Sequence, residues 1–435
     1  MWGRCMQRLF CFQDSPFFIT FVQKQINAHI LETKEIILAS ISGPDRPGLT
    51  SKMTSILARY GATILDIGQA DIHNTLSLGI LFSSDQQVSG FILKEMLFSA
   101  SSLGINVRFD TISEKAYSDW VSLQGKNRYI ITMLGRDISA DLLANVSGAL
   151  SDQGLNIDSI TRLSGRIPLE GVENSTAKAS VEMSVRGTPK DKAALQSLFL
   201  QMSSNLGYDI SFQEDNIFRR NRRLVCFDMD STLIKTEVID ELAMRAGVGD
   251  EVKAITESAM RGEIDFCESF RRRVSLLKGL DESVMIDIAE HLPIMDGAER
   301  ALRMLKKFGF KIAILSGGFT YFGNYLKKQF DLDYVYANEL EIVDGKLTGR
   351  HLGDIVDGKR KADLLRLIAQ VEGLDLQQVI AVGDGANDLP MLSLAGLGVA
   401  FHAKPKVKEN AKQSLSNFGL DGLLYLLGFK DSYME

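Results

Sequence analysis

The stretch LVCFDMDST, residues 224–232, decides how the second half of the chain is read. Four apolar residues, Leu224 to Phe227, run directly into two carboxylates, Asp228 and Asp230, and two hydroxyls, Ser231 and Thr232. A run this short and apolar is a buried strand, and it delivers its polar residues at the carboxyl end, where parallel sheets gather their chemistry. From here on, apolar runs alternate with helical stretches, the pattern of a parallel sheet with crossover helices. Three further stretches place polar residues in the same way: KIAILSGG (311–318), Lys361 at a helix head, and VIAVGDGANDL (379–389).

A phosphate ester is the substrate these groups fit. Asp228 can attack phosphorus and form an acyl phosphate, dividing a difficult hydrolysis into two steps. Asp230 can protonate the leaving alkoxide and then activate water. Hard oxygen ligands suit Mg2+, and Asp228, the main-chain carbonyl of Asp230 and Asp384 would hold it. Ser316, Gly317 and Gly318 offer a hydroxyl and bare N–H groups to the phosphoryl oxygens, and Lys361 adds positive charge beside the nucleophile. Asn387 would touch phosphate and Asp388 would hold Lys361. Each feature alone has a plainer reading: a loop DxD, a turn, a solvated lysine, an ordinary helix cap. Their order along the chain, each at a strand end, favours the chemistry.

This half resembles the haloacid dehalogenase superfamily of phosphotransferases across its length, with DMDST, SGG, the Lys361 helix and GDGAND following that superfamily's successive motifs. The resemblance implies an α/β fold, a Rossmann-like parallel-sheet phosphatase core over 222–435 with a small helical cap at about 238–292. More narrowly, it is similar to the branch that hydrolyses O-phospho-L-serine to L-serine and phosphate. There an acid in the cap region meets the ammonium, an arginine meets the carboxylate, and apolar residues cover the site. Carried onto this sequence, these are Glu237, Arg273, Met260 and Phe266. The chemistry agrees, because a zwitterion needs opposite charges at fixed separation and an Arg fork grips a carboxylate bidentately. Without the resemblance, Arg273 reads as a surface charge and Phe266 as core. Two alternatives stand. One is another small phosphomonoester such as a sugar phosphate, which has no ammonium–carboxylate pair for Glu237 and Arg273. The other is a catalytically inert amino-acid-binding regulator, against which the presence of Asp228, Asp230, Lys361 and Asp384 together speaks.

The first half reads βαββαβ: a strand over 35–42, a helix from Leu49 that Gly61 ends, strands over 62–72 and 76–82, a helix over 91–103 and a strand over 105–112. The order repeats over 129–134, 140–150, 157–163, 177–185, 193–206 and 208–212. ARYGATILDIG in the first copy echoes SDQGLNIDSIT in the second, and SLGINVRFD echoes NLGYDISFQ. These two ferredoxin-like modules, over 34–115 and 127–215, resemble ACT domains, the amino-acid-sensing units of metabolic enzymes. The resemblance implies an effector near the GPDRPGL turn, with Asp45, Arg46, Gly48 and Leu49 as contacts, and the joining of an amino-acid sensor to an enzyme expected to make serine points to serine, the product, as that effector. It also implies pairing of modules into a homodimer. A turn that merely joins strand to helix is the competing reading, and GRDISADL in the second copy lacks the Pro-Gly step.

The 435 residues are 45% hydrophobic and 24% charged with a net charge of −6, a composition that excludes disorder and gives no field for nucleic acid or anionic membranes. A small-molecule substrate is the expected partner. Cys5, Cys11, Cys226 and Cys267 show neither zinc spacing nor a disulfide framework, which suits a reducing cytoplasm. Residues 1–22 are apolar and basic like a signal peptide, but Gln13 to Pro16 interrupt the run and no cleavage pattern follows, so 1–33 reads as an extension. No stretch is long enough to cross a bilayer. FRRNRR, 218–223, reads as a solvated linker.

Overall fold

The computed structural model describes residues 34–122, 125, 127–166 and 178–434. The expected N-terminal extension, with Cys5, Cys11 and His29, lies outside the described residues. The chain divides into two compact units, Met1–Gly125 and Lys126–Glu435.

In the first unit, β1 (Lys34–Pro44), β2 (Thr63–Ile72), β3 (Thr75–Asp85) and β4 (Asn106–Ile112) form an antiparallel sheet in the order β2-β3-β1-β4. Alternate residues of β1, Ile37, Ala39 and Ile41, point to one face, where they meet Met53 and Ile56 of the helix Leu49–Arg59 and Ile92 and Met96 of the helix Gln86–Leu103. Gly61, left-handed at φ 66°, terminates the first of these helices as the sequence predicts. The second begins five residues before the expected 91, because Asp85 accepts a hydrogen bond from the Gln87 N–H at 2.9 Å and caps it. A helix at Glu114–Ser122, which the sequence did not mark, buries none of its residues.

The second unit holds the repeat and the parallel-sheet core. In the repeat, β5 (Arg128–Gly135), β6 (Asn156–Arg162), β7 (Ala179–Arg186) and β8 (Asp209–Glu214) run in the order β6-β7-β5-β8, the same arrangement as the first module. The core sheet contains β9 (Leu224–Phe227), β10 (Lys311–Phe319), β11 (Tyr334–Val343), β12 (Lys346–Leu352), β13 (Val379–Gly383), β14 (Leu397–Phe401) and β15 (Gln413–Leu415) in the order β12-β11-β10-β9-β13-β14-β15. All its pairings are parallel except β11 with β12. That hairpin turns through Asp344 and Gly345, both left-handed at φ 50° and 73°. Because β9 lies between β10 and β13, its carboxyl end opens at the point where the chain turns to opposite sides of the sheet. The helices Val238–Ala246, Gly249–Met260, Phe266–Leu276 and Ser283–Glu290 form the cap, and the bridge Ile234↔Ile294 brings its two connections together.

The second module is docked on the core. β8 and β15 are edge strands of their own sheets. The Gln413 amide spans them, donating to the Phe212 carbonyl at 2.7 Å and accepting from its N–H at 3.0 Å. FRRNRR corrects the sequence reading. Ile217–Arg220 is a short helix, and Arg219 and Arg222 are buried in it and just after it. Arg219 pairs with Glu182 at 2.7 Å and Arg222 donates to Gln213 Oε1 at 3.0 Å. Partners from β7 and β8 draw these charges inward, where composition alone placed them in water.

Candidate active site

β9 brings Asp228 out of the sheet, and the Asp228 N–H still donates to the Val382 carbonyl at 2.9 Å. Its Oδ1 accepts from the Met229 N–H at 2.8 Å and stands 2.8 Å from Lys361 Nζ. Lys361 lies in the first turn of the helix Gly358–Val371, which Asp357 caps through the Arg360 N–H at 2.8 Å. It is fully buried and reaches Asp388 Oδ1 at 2.7 Å. Burial alone would lower the Lys361 ammonium, but Asp228 and Asp388 outweigh it and hold the charge in place. Asp388 accepts from the Gly385 N–H at 3.0 Å with its other oxygen, so both its oxygens are engaged.

Burial pushes the Asp228 carboxyl up, Asp388 adds to this, and Lys361 opposes it. Asp230 is pushed up by burial, then by Glu237 and Asp228, while its Oδ1 accepts from the Val238 N–H at 3.2 Å. A carboxyl whose protonated form is favoured in this way can donate a proton. Asp384 is raised to about 7, by burial first and then by Asp388 and Glu237. Carboxylate oxygens of Asp228, Asp384 and Asp388 lie within 4.8 Å of one another. Four carboxylates, with Asp230, thus face one ammonium, and with Asp388 engaged by Lys361, Asp228 and Asp384 carry free oxygens. This surplus of hard, negative donors fits a divalent metal ion.

Ser316, at the end of β10, accepts from the Gly318 N–H at 2.9 Å. A Cβ on Gly318 would stand 2.5 Å from Asp230 Oδ2, and one on Gly317 would stand 2.9 Å from Phe266 Cζ, so a side chain at either position would push the acid or the cap phenyl aside. Asn387 sits half-buried in the turn Ala386–Asp388.

On the cap side, Ser231 is left-handed at φ 55° and donates to Glu237 Oε1 at 2.8 Å. The Arg273 guanidinium is lowered by burial, against the charges of Glu237, Asp240 and Asp230. The acid and the arginine are therefore brought to the same side of the strand ends. Phe266 stacks on Phe270 with centroids 6.4 Å apart. Met260 is 64% exposed, and its sulfur lies 3.8 Å from Lys404 Nζ.

Two residues were given no role by the sequence reading. Thr232, buried, directs Oγ1 toward Asp384 Oδ1 at 3.5 Å. Asn338, buried in β11, bonds to Gly317, Gly318 and Val356. Its one signal was an amide inside the apolar, aromatic strand YVYANEL.

In the first module, Asp45 and Arg46 are exposed at the turn, and Gly48, left-handed at φ 87°, opens the helix with no side-chain cap. Leu49 is 4% exposed and packs in the core, which leaves only its main chain for a ligand. In the second module Ser139 accepts from the Leu142 N–H at 3.1 Å, so a donor of the equivalent helix start is already used.

Comparison with known proteins agrees with this geometry. Residues 222–396 match the haloacid dehalogenase-like hydrolase family, and 35–110 and 128–213 each match an ACT domain family. A phosphoserine phosphatase of Mycobacterium tuberculosis, SerB2, is 40% identical over 406 residues, covering 93% of this chain and 96% of that protein. One from Streptomyces coelicolor is 38% identical over 92% of this chain and 93% of its own. Among solved structures, a probable phosphoserine phosphatase from Vibrio cholerae superposes with a TM-score of 0.55 at 35% identity, covering 70% of this chain and 87% of that one.

Proposed function

As the chain belongs to the phosphoserine phosphatases, haloacid dehalogenase-like hydrolases carrying two ACT domains, we propose that it hydrolyses O-phospho-L-serine through an aspartyl phosphate on Asp228. The observation that carries the assignment is Lys361, buried between Asp228 and Asp388 at 2.8 and 2.7 Å. An ammonium so placed favours the ionised form of a desolvated nucleophile, against the burial and the Asp388 charge that work the other way.

The free oxygen of Asp228 attacks phosphorus as the bond to the serine oxygen breaks, and Asp230 gives its proton to that oxygen. Asp230, now a carboxylate, takes a proton from the water that attacks the acyl phosphate. Phosphate leaves, and Asp228 and protonated Asp230 are restored. Ser316, Gly317 and Asn387 bind the phosphoryl oxygens, and Asp388 holds Lys361. Asp228, Asp384 and the main-chain carbonyl of Asp230 would hold Mg2+, which would neutralise phosphoryl charge. Glu237 meets the substrate ammonium and Arg273 its carboxylate, with Phe266 and Met260 as apolar cover.

The catalytic part spans 222–435 in this reading, and the modules over 34–115 and 127–215 serve as regulators in a cytoplasmic homodimer. Serine is the effector, taken at Asp45, Arg46, Gly48 and the main chain of Leu49. A panel of phosphomonoesters, with and without Mg2+ and with added serine, tests this. Preference for phosphoserine is expected, and preference for a sugar phosphate would overturn the substrate. Serine that neither binds nor changes the rate would remove the effector.

A further inference from the structure

We propose that Asn338 is a positioning residue for the reaction, fixing the peptide that aims the Ser316 hydroxyl and tying the SGG turn to the segment that carries Lys361. The inference rests on the reading of Ser316 as a phosphoryl ligand. Asn338 is 1% exposed, and an amide at that depth must satisfy its polar atoms within the protein. Its Nδ2 donates to the Gly317 carbonyl at 2.8 Å and the Gly318 carbonyl at 3.2 Å, and its Oδ1 accepts from the Val356 N–H at 2.8 Å.

The peptide joining Gly317 to Gly318 is planar, with its carbonyl and N–H on opposite edges. Asn338 holds the carbonyl edge, and the N–H edge donates to Ser316 Oγ at 2.9 Å. One rigid plane therefore connects the Asn338 amide to the Ser316 hydroxyl. A hydroxyl that already accepts from an N–H keeps its own hydrogen for donation, the role a phosphoryl oxygen requires of it.

The third bond reaches the cation. Val356 immediately precedes Asp357, whose side chain caps the Lys361 helix and whose carbonyl accepts from the Lys361 N–H at 2.9 Å. A single amide thus holds both the phosphoryl cradle and the approach to the ammonium. No other residue type of this size both donates twice and accepts: aspartate loses the donors, and leucine loses all three bonds.

A double-mutant cycle tests this, with Asn338→Ala, Ser316→Ala and the pair assayed on phosphoserine and on p-nitrophenyl phosphate. Ser316→Ala should lower kcat/KM by roughly 10²-fold and Asn338→Ala by about 10- to 10²-fold, on both substrates. The pair should lose clearly less than the product of the two single losses, since much of what Asn338 does runs through that hydroxyl. Losses that multiply would overturn the proposal. Asn338→Asp keeps the shape and the Val356 contact, and near-normal activity in it would also overturn it. If Asn338→Ala does not fold, the Asp variant takes its place in the cycle, and if neither folds the residue is assigned to stability and the proposal fails. Wild-type protein that cleaves the aryl ester but not phosphoserine would refute the substrate reading alone.

Discussion

Lys361 Nζ stands 2.8 Å from Asp228 Oδ1, and both side chains are buried. Of the four carboxylates gathered here, Asp228 is the proposed nucleophile, and burial and Asp388 work against the charge that this role needs. Asp228→Asn keeps the volume and leaves Lys361 paired with Asp388. Turnover should fall by roughly 10⁴-fold or more, the scale of losing a covalent nucleophile, and phosphate should no longer be trapped on the protein. Without metal the variant should be at least as stable as wild type in chemical denaturation, because one repelling charge is gone. Near-normal turnover would refute the nucleophile.

Glu237 is exposed and receives a hydrogen bond from Ser231, so its carboxylate is oriented but still open to a ligand. A charge-assisted hydrogen bond contributes about 1.5–3 kcal/mol. For Glu237→Gln, kcat/KM on phosphoserine should drop by roughly 10- to 10²-fold, while an aryl phosphate loses no more than about threefold. Equal losses on the two substrates would mean that Glu237 does not read the ammonium.

A metal that relieves the repulsion between Asp228 and Asp384 must also stabilise the fold, since it binds the native arrangement and not the open chain. Adding Mg2+ to chelator-treated protein should restore activity and raise Tm. Asp384→Asn removes one of the two free donors and should abolish that rise. A Tm shift of equal size in the variant would place the metal elsewhere.

The site was legible because its chemistry sits on contiguous motifs at strand ends: DMDST, SGG and GDGAND each announce a strand and its polar tip within a few residues. What lay hidden depends on distant partners. Asn338 finds its partners in Gly317 and Val356, on either side of it in the chain, and nothing local marks an amide as buried rather than solvated. Arg219 and Arg222 read as a solvated run because Glu182 and Gln213, which draw them inward, belong to the preceding module. The hairpin β11–β12 did carry a local signal, the Asp344-Gly345 step, in a region where alternating strands and helices were expected. Leu49 was named as a ligand contact from its place in a turn, yet its helical spacing with Met53 and Ile56 already assigned its side chain to the core.

The docking of the second module on the core should be acid-sensitive. Asp431 accepts from the Gly165 N–H of that module at 2.7 Å, from the Tyr425 hydroxyl at 2.7 Å and from Arg300 at 3.1 Å. Burial raises its carboxyl, but these donors outweigh burial and hold it below the ordinary 3.8. The folded protein then binds fewer protons at this group than the unfolded chain. Its contribution is complete above pH 3.8 and is lost as pH falls through the lower folded value. Asp431→Asn should cost roughly 1–3 kcal/mol at pH 7 in chemical denaturation, since bonds to a charged acceptor are replaced by weaker ones. Below pH 4 the wild type should lose stability faster than the variant, and the gap between them should narrow. A gap that stays constant from neutral to acid pH would show that the ionised form of Asp431 does not hold this contact.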